Sequence, residues 1–341
     1  MQQLKLGTVG AILVYLIATR SALGAVGEIE FFRYKGIDVS RIRIALPIHE
    51  GDAYSDNVKD AIRRNILAVM GQEPTDVAAI CCDDQGNHLL FIGLPGNSLS
   101  RSFAYHPTPT GKERLPESLI ELYERLDRKL EEAVKRGGYA AEEDDSKGYA
   151  LSKDASVRLL QLSVHQWAMR NERTLLRALK SASIVRHRQV ASDALGYARQ
   201  SEEQIKALVS AARDPDDEVR NNATRALGVL VRSNPKLADR IAPETFIDML
   251  NSGRWSDRNK AAALLSGLTA NRSPALLEAL RLTALDSLIE MSAWRRAGHA
   301  FFARKVLGRV AGLPENQIND LAWNGPVDTI VEAARQLKSG R

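Results

Sequence analysis

The chain has 341 residues and a formal net charge of +5, with 44% hydrophobic and only 6% aromatic residues. That length holds two or three compact units and an ample core. The two cysteines are adjacent, at 81 and 82, which excludes a Cys-x-x-Cys metal or redox spacing. The net charge hides an asymmetry. Residues 28–149 hold 16 Lys and Arg against 22 Asp and Glu, a balance of −6, and residues 150–341 hold 29 against 20, a balance of +9. Mutual docking of the halves, an anionic partner for the basic half, and a solvated Arg-rich surface all fit this pattern.

Residues 1–25 read as a signal peptide. Lys5 gives a positive start, and 6–18 is an apolar run of thirteen residues, short of the about 20 that span a bilayer. Ala22, Gly24 and Ala25 offer small residues, and cleavage after Gly24 or Ala25 fits. An uncleaved anchor or a buried helix is the other reading. The expected location is exported, periplasmic or extracellular, with membrane contact only through this segment or an envelope partner.

Residues 26–96 have a different grammar. Residues 28–34 have strand composition, Lys35-Gly36 breaks it, and 39–46 predicts a short helix closed by Pro47. Ser55 or Asp56 caps a second helix reaching about Val69, with Val58, Ile62 and Ile66 on one face. Residues 76–82 and 88–94 are two strands joined by a turn at 83–87. Cys81 and Cys82 then point to opposite faces, one buried and one exposed, with a strained vicinal disulfide as the alternative. The order is strand, helix, helix, strand, strand. With Gly36, Leu46, Gly51 and Asp52 at its turns, the stretch resembles a POTRA (polypeptide-transport-associated) module. The resemblance implies capture of polypeptides by strand addition at a sheet edge. An unrelated small α+β unit that caps the repeats is the other reading.

Residues 97–150 form a connector. A proline-punctuated loop carries Arg101, Phe103 and Tyr105. Leu119, Leu122, Leu126, Leu130 and Val134 then mark one long amphipathic helix ending at Gly137-Gly138, packed on the first repeat. Residues 142–146 read as a solvated acidic linker.

Residues 151–312 repeat a single pattern. A helical pair at 151–180 starts the stack. Arg220-Asn-Asn-Ala223-Thr-Arg-Ala226-Leu227-Gly228 recurs 32 residues upstream as Arg188-Gln-Val-Ala191-Ser-Asp-Ala194-Leu195-Gly196. It recurs 38 residues downstream as Arg258-Asn-Lys-Ala261-Ala-Ala-Leu264-Leu265-Ser266. Such periods mean stacked helical hairpins, each too small to bury its own face. The wording, Asp216-Asp217-Glu218-Val219-Arg220 and then Ala223 to Gly228, resembles the HEAT repeat family in its short bacterial form. The resemblance implies a mainly α, right-handed solenoid. It also implies structural roles for Arg188, Arg220, Arg258, Ala223, Leu227 and Gly228, in packing and in an inter-repeat ladder. Residues 313–341 read as a cap on the last hairpin.

No nucleotide loop, zinc motif or nucleophile elbow is present, and the six histidines stand alone. Neither a catalytic residue nor a cofactor nor a metal is expected, and the signal segment argues against nucleic acid. Trp255 and Trp294 lie in Arg-bearing segments, as peptide anchors or as packing between repeats. Helical periodicity turns Asn222, Arg225 and Lys260 toward a concave groove. There they would contact a protein or peptide partner, an acidic one by charge, and reversing Arg225 and Lys260 would leave stability intact. The reading is a non-catalytic exported interaction scaffold, with envelope assembly or transport as its setting. The alternative is a lyase-type HEAT-like enzyme with its site in the groove.

Overall fold

The computed structural model describes residues 24–55, 57–81, 83–96, 103–136 and 143–339. The signal segment therefore lies almost wholly outside the described residues, as do Arg101, Cys82 and Gly137-Gly138. Among the described residues no helix is long and apolar enough to cross a membrane.

The front module runs β1 (Val26–Phe32), α1 (Val39–Ala45), α2 (Val58–Met70), β2 (Asp76–Ile80), β3 (His88–Gly93), the order read from the sequence. β3 is central, parallel to β1 and antiparallel to β2, so β1 is an edge strand. Local chemistry sets the turns. The Asp38 carboxylate accepts from the Ser40 and Arg41 amides and starts α1. The Asp83 carboxylate accepts from the Gln85 and Asn87 amides, and Gly86 takes φ +83° in the β2–β3 turn. β2 stops at Ile80, two residues short of expectation. Cys81 is exposed and disulfide-bonded.

Every residue of β3 is buried, because both faces of the sheet are covered. Leu90 and Ile92 join α1 and α2 in a core with Ile29, Ile62 and Ile66. Leu89 and Phe91 belong to the core of the helical half.

From the module, residues 103–116 run along the turn edge of the helices toward the first hairpin. His106 N donates to Arg213 O at 2.7 Å, Ser183 N to Gly111 O at 3.0 Å, and Leu115 N to His187 Nδ1 at 3.1 Å. The Arg220 guanidinium stacks 4.4 Å from the Tyr105 ring centroid. Helix α3 (Glu117–Arg136) packs on α4 (Ala155–Ser181) and α5 (Val185–Leu195). Between α3 and α4, the expected acidic linker instead pairs β4 (Glu143–Asp144) with β5 (Leu151–Ser152). Where the helical pair at 151–180 is expected, α4 consists of two helical stretches that meet at a kink at Asn171, whose backbone is non-helical and whose side chain donates to Trp167 O.

Hairpins follow in order: α6 (Glu202–Ala211) with α7 (Asp217–Ser233), and a 3-10 turn (Pro235–Arg240) plus α8 (Glu244–Met249) with α9 (Trp255–Leu268). Then come α10 (Pro274–Thr283) and α11 (Leu285–Ser292) with α12 (Ala297–Val310), and finally α13 (Glu315–Asn324) with α14 (Val327–Ser339). The second helices α5, α7, α9 and α12 stack side by side. Val219, Ala223 and Leu227 are fully buried between them. Gly228 has space around it; the tight approach comes at Gly267, where a Cβ would meet Val231 Cγ1 at 2.9 Å.

Three buried arginines tie the stack. Each closes its own turn on a carbonyl six residues upstream: Arg188 on Ala182, Arg220 on Asp214, Arg258 on Ser252, all at 2.8 Å. Each also reaches a carboxylate of the next hairpin. Arg188 is bidentate to Asp214 at 2.8 and 3.1 Å, Arg220 meets Asp257 at 2.8 Å, and Arg258 meets Glu290 at 3.1 Å. The ladder ends at α12, where Arg304 donates, among the described residues, to the carbonyls of Ser292, Trp294 and Ala322. Removing one partner of such a pair leaves the other charged and buried. Arg220→Ala is therefore expected to lower the unfolding free energy by about 3–5 kcal/mol, read by urea titration. Adding Asp257→Leu is expected to recover most of that loss.

Candidate functional site

Of the residues expected to line an open groove, Arg225 meets the chain's own front half. Arg225 donates to Asp193 at 3.1 Å and to Glu143, and its side chain is 9% exposed. Asp193 is held in turn by the Tyr123 hydroxyl at 2.9 Å. Asn222 is buried and donates to Gln189 O. Lys260 is buried too, and burial first, then Arg225, lowers its pKa to about 8. Charge reversal would thus break the packed ion pairs of Arg225 and place a carboxylate at the buried position of Lys260, rather than alter a free surface. Helical spacing predicts only that these residues turn away from the hairpin core. It carried no information on what covers that face.

Glu143 of β4 covers Arg225; farther along the array the cover is the front module. Phe91 of β3 enters between two tryptophans of the array, with ring centroids 5.1 Å from Trp255 and 5.0 Å from Trp294. Both tryptophans are buried in the core of the array and also form the socket for the sheet. Phe32 lies under the Arg258 guanidinium at 5.1 Å. The Asp76 carboxylate accepts from the Trp255 amide at 2.9 Å.

A charged clasp surrounds this peg. Arg295 donates to Glu30 at 2.8 Å and to Glu50 at 2.6 Å. Its hydrogen bond holds the Glu50 carboxyl below the usual range. Arg296 sits among Asp84 at 3.2 Å, Asp83 at 3.4 Å and Glu28 at 3.5 Å. Lys35 meets Asp286 at 2.7 Å. Glu290, the last ladder carboxylate, also accepts from the Arg33 amide at 3.0 Å. Of the three readings of the charge asymmetry, mutual docking is the one observed.

The seam encloses a cavity of about 480 Å3 between the β2–β3 turn and the start of α12. One wall is acidic, with Glu28, Asp83 and Asp84; the other carries Asn259, Gly298 and His299. Burial raises the Glu28 pKa above its ordinary value. The His299 ring stands edge-on to Phe91 and Trp255. Burial first, then the charges of Arg296 and Lys260, lowers its pKa to about 4, so His299 is neutral at pH 7. Among the described residues no group of three or more His, Cys, Asp or Glu is placed to hold a metal ion. Sequence reasoning missed this site because its parts come from positions 28, 83–84, 259 and 298–299, each unremarkable in its own stretch.

The depressed His299 pKa makes stability depend on pH. Above pH 6.5 the residue is neutral whether folded or unfolded. As the pH falls from 6.5 to about 4, the unfolded chain binds a proton that the folded one refuses. Stability is lost across that window, by roughly 3 kcal/mol in total. His299→Gln is expected to flatten this part of the profile, measured as the difference between the two chains in denaturant titrations from pH 7 to pH 4.

Comparison with known proteins places the helical half. Residues 172–267 match the model of the HEAT repeats family. A search of curated proteins found no match. Among solved structures, the designed armadillo repeat protein YIII(Dq)4CqI is similar at 16% identity and a TM-score of 0.36, over 63% of this chain and 98% of that chain. The designed armadillo repeat protein YIII(Dq.V1)4CPAF in complex with peptide (KR)4 gives 14% and 0.37, over 64% and 99%. The hairpins of residues 172–267, which carry Arg188, Arg220 and Arg258 of the buried ladder, are thus similar to HEAT repeats.

Proposed function

We propose that this protein is a non-catalytic, exported scaffold that holds a protein or peptide partner in the cell envelope. The observation that carries the reading is internal. The array already grips a folded acidic module, through an aromatic peg between Trp255 and Trp294 and a rim of arginines. A rigid frame with this recognition chemistry is what a scaffold requires.

The details narrow how a partner is held. Strand addition at β1 meets a closed edge. Glu50 accepts from the Ile29 amide, Arg43 and Arg295 donate to Ile29 O, and Glu290 accepts from the Arg33 amide. The preference for an acidic partner loses its basis, since Arg225, Arg232, Arg254, Arg295 and Arg296 all pair with carboxylates of the front half. The partner site then lies outside the filled floor of the array.

Export is supported by the signal-like start and by the Cys81 disulfide, which suits an oxidising compartment. His88 N donates to Ala25 O. A cut after Ala25 would remove that acceptor at the head of the central strand, and a cut after Gly24 keeps it. The mature chain is therefore expected to begin at Ala25, read by mass spectrometry of protein recovered from the envelope fraction. An intact Met1 in the cytosolic fraction would defeat this part.

The partner test is capture from that fraction with the mature chain, against a chain carrying Arg295→Glu and Arg296→Glu, which unclasps the module. One protein enriched by the first and diminished with the second supports a scaffold whose module is in place. Enrichment of nothing by either sinks the scaffold. A chain starting near Lys153 is the wrong control, because it bares Trp255 and Trp294 to water. One observation favours a second reading, a lyase-type enzyme: the seam cavity holds a neutral His299 beside a carboxyl, Glu28, whose pKa is raised by burial.

A further inference from the structure

We propose that the seam cavity binds a small zwitterion, an amino acid or short free peptide with an apolar side chain. Its two walls are built for opposite charges, and its floor is built for a ring or branched chain.

The carboxylate end is placed by α12. This is a 14-residue helix whose N-cap, Arg296, makes no side-chain cap hydrogen bond. The amides of Ala297 and Gly298, both lining the cavity, donate to no described residue. Unpaired first-turn amides and the positive end of the helix dipole together favour an anion.

A second, independent observation points the same way. Asn259 and His299 are 9% and 8% exposed and both line the cavity. Neither side chain makes a hydrogen bond to a described residue. The polar atoms of the pair open onto the cavity beside those amides, where a ligand or water meets them. Lys260, the next residue on α9, is buried and forms no ion pair with a described residue. Its field reaches His299 and adds positive potential to this wall.

The ammonium end faces the module. Glu28, Asp83 and Asp84 all lie against the Arg296 guanidinium, while Arg295, which also lines the cavity, is taken up by Glu30 and Glu50, so the wall keeps an excess of negative charge. Glu28 Oε2 is buried without a hydrogen bond. Between the walls lie Leu89, Phe302 and Trp323. Trp323 is 41% exposed, a large apolar surface left at the mouth. A volume of about 480 Å3 lies within the range of pockets for small ligands. Both charged ends of the ligand are needed, which separates this site from one for a simple anion or for a buried segment of a folded partner.

The inference goes beyond the scaffold reading and does not depend on it. A free small molecule can bind whether or not a protein partner does.

The test is calorimetric titration of the mature chain with Ala-Phe and with phenylalanine. N-acetyl-Ala-Phe and Ala-Phe-amide serve as capped controls. Saturable binding of a free form, weakened at least tenfold by either cap, is expected. A tighter dipeptide assigns the site to short peptides, and equal affinity assigns it to amino acids. Trp323→Ala and Asn259→Asp are each expected to weaken binding at least tenfold, with folding checked by circular dichroism. Trp323→Ala alters a half-exposed side chain and keeps the test valid if Asn259→Asp misfolds. Absence of binding at millimolar ligand overturns the proposal. So does equal binding of free and capped peptides, loss with one cap only, or affinity unchanged in Trp323→Ala. Running both variants through the envelope capture separates the two readings, since partner enrichment need not follow ligand affinity.

Discussion

A guanidinium cannot be buried without partners, and that constraint organises the helical half of this protein. Arg188, Arg220 and Arg258 each spend one nitrogen on a carbonyl of their own turn and another on a carboxylate of the next hairpin. The first bond fixes how the chain enters the second helix. The second fixes the height of the next repeat. The acceptors come from different places: Asp214 in a turn, Asp257 in the first turn of α9, Glu290 near the end of α11. The repeat spacing can therefore drift while the chemistry stays constant. The ion pairs are weak evidence of net stability, since desolvation consumes much of their attraction. Their effect is on register, because a shifted hairpin would strand three charges.

The last rung links the array to the module. Glu290 serves Arg258 and the Arg33 amide together, so the ladder continues into the loop after β1. The docked face then divides its labour. Apolar burial of Phe91, Trp255 and Trp294 supplies most of the attraction. The Arg295 and Arg296 pairs lie at the partly exposed rim, where each is worth little alone. What they provide is orientation: an acidic sheet edge can seat against a basic helix start in one way. The opposite charges of the two halves are thus used inside the chain.

The sequence carried the parts that repeat or alternate locally. The arginine positions, the hairpins and the strand–helix–helix–strand–strand order could be read because each rests on spacing within about one element. The arrangement of the parts was not readable in the same way. Period 3.6 identified Arg225 and Lys260 as facing away from the hairpin core, and could not reveal that residues 143–145 lie over them. Phe91 reads as one more apolar strand residue, since nothing near it names Trp255 or Trp294. The kink at Asn171 hides a turn of backbone inside an unbroken helical pattern. The acidic stretch at 142–146 looks like linker because its partners, Arg225, Arg232 and Arg158, lie far along the chain.

The two kinds of buried polar residue in the array differ in one respect. Arg188, Arg220 and Arg258 each meet a carbonyl and a carboxylate. Asn259, Lys260 and His299 are buried too, though less deeply, and make no hydrogen bond or ion pair with a described residue; the last two carry pKa values lowered chiefly by burial. A fold selected for stability alone would replace them with apolar residues at little cost in packing. Local rules broken together, at one cavity, mark a place where stability is given up for another purpose. They sit where the HEAT array, the front module and a helix start converge, so the cavity exists only while the module stays docked. Occupancy of the cavity and docking of the module are thereby thermodynamically linked, each stabilising the other.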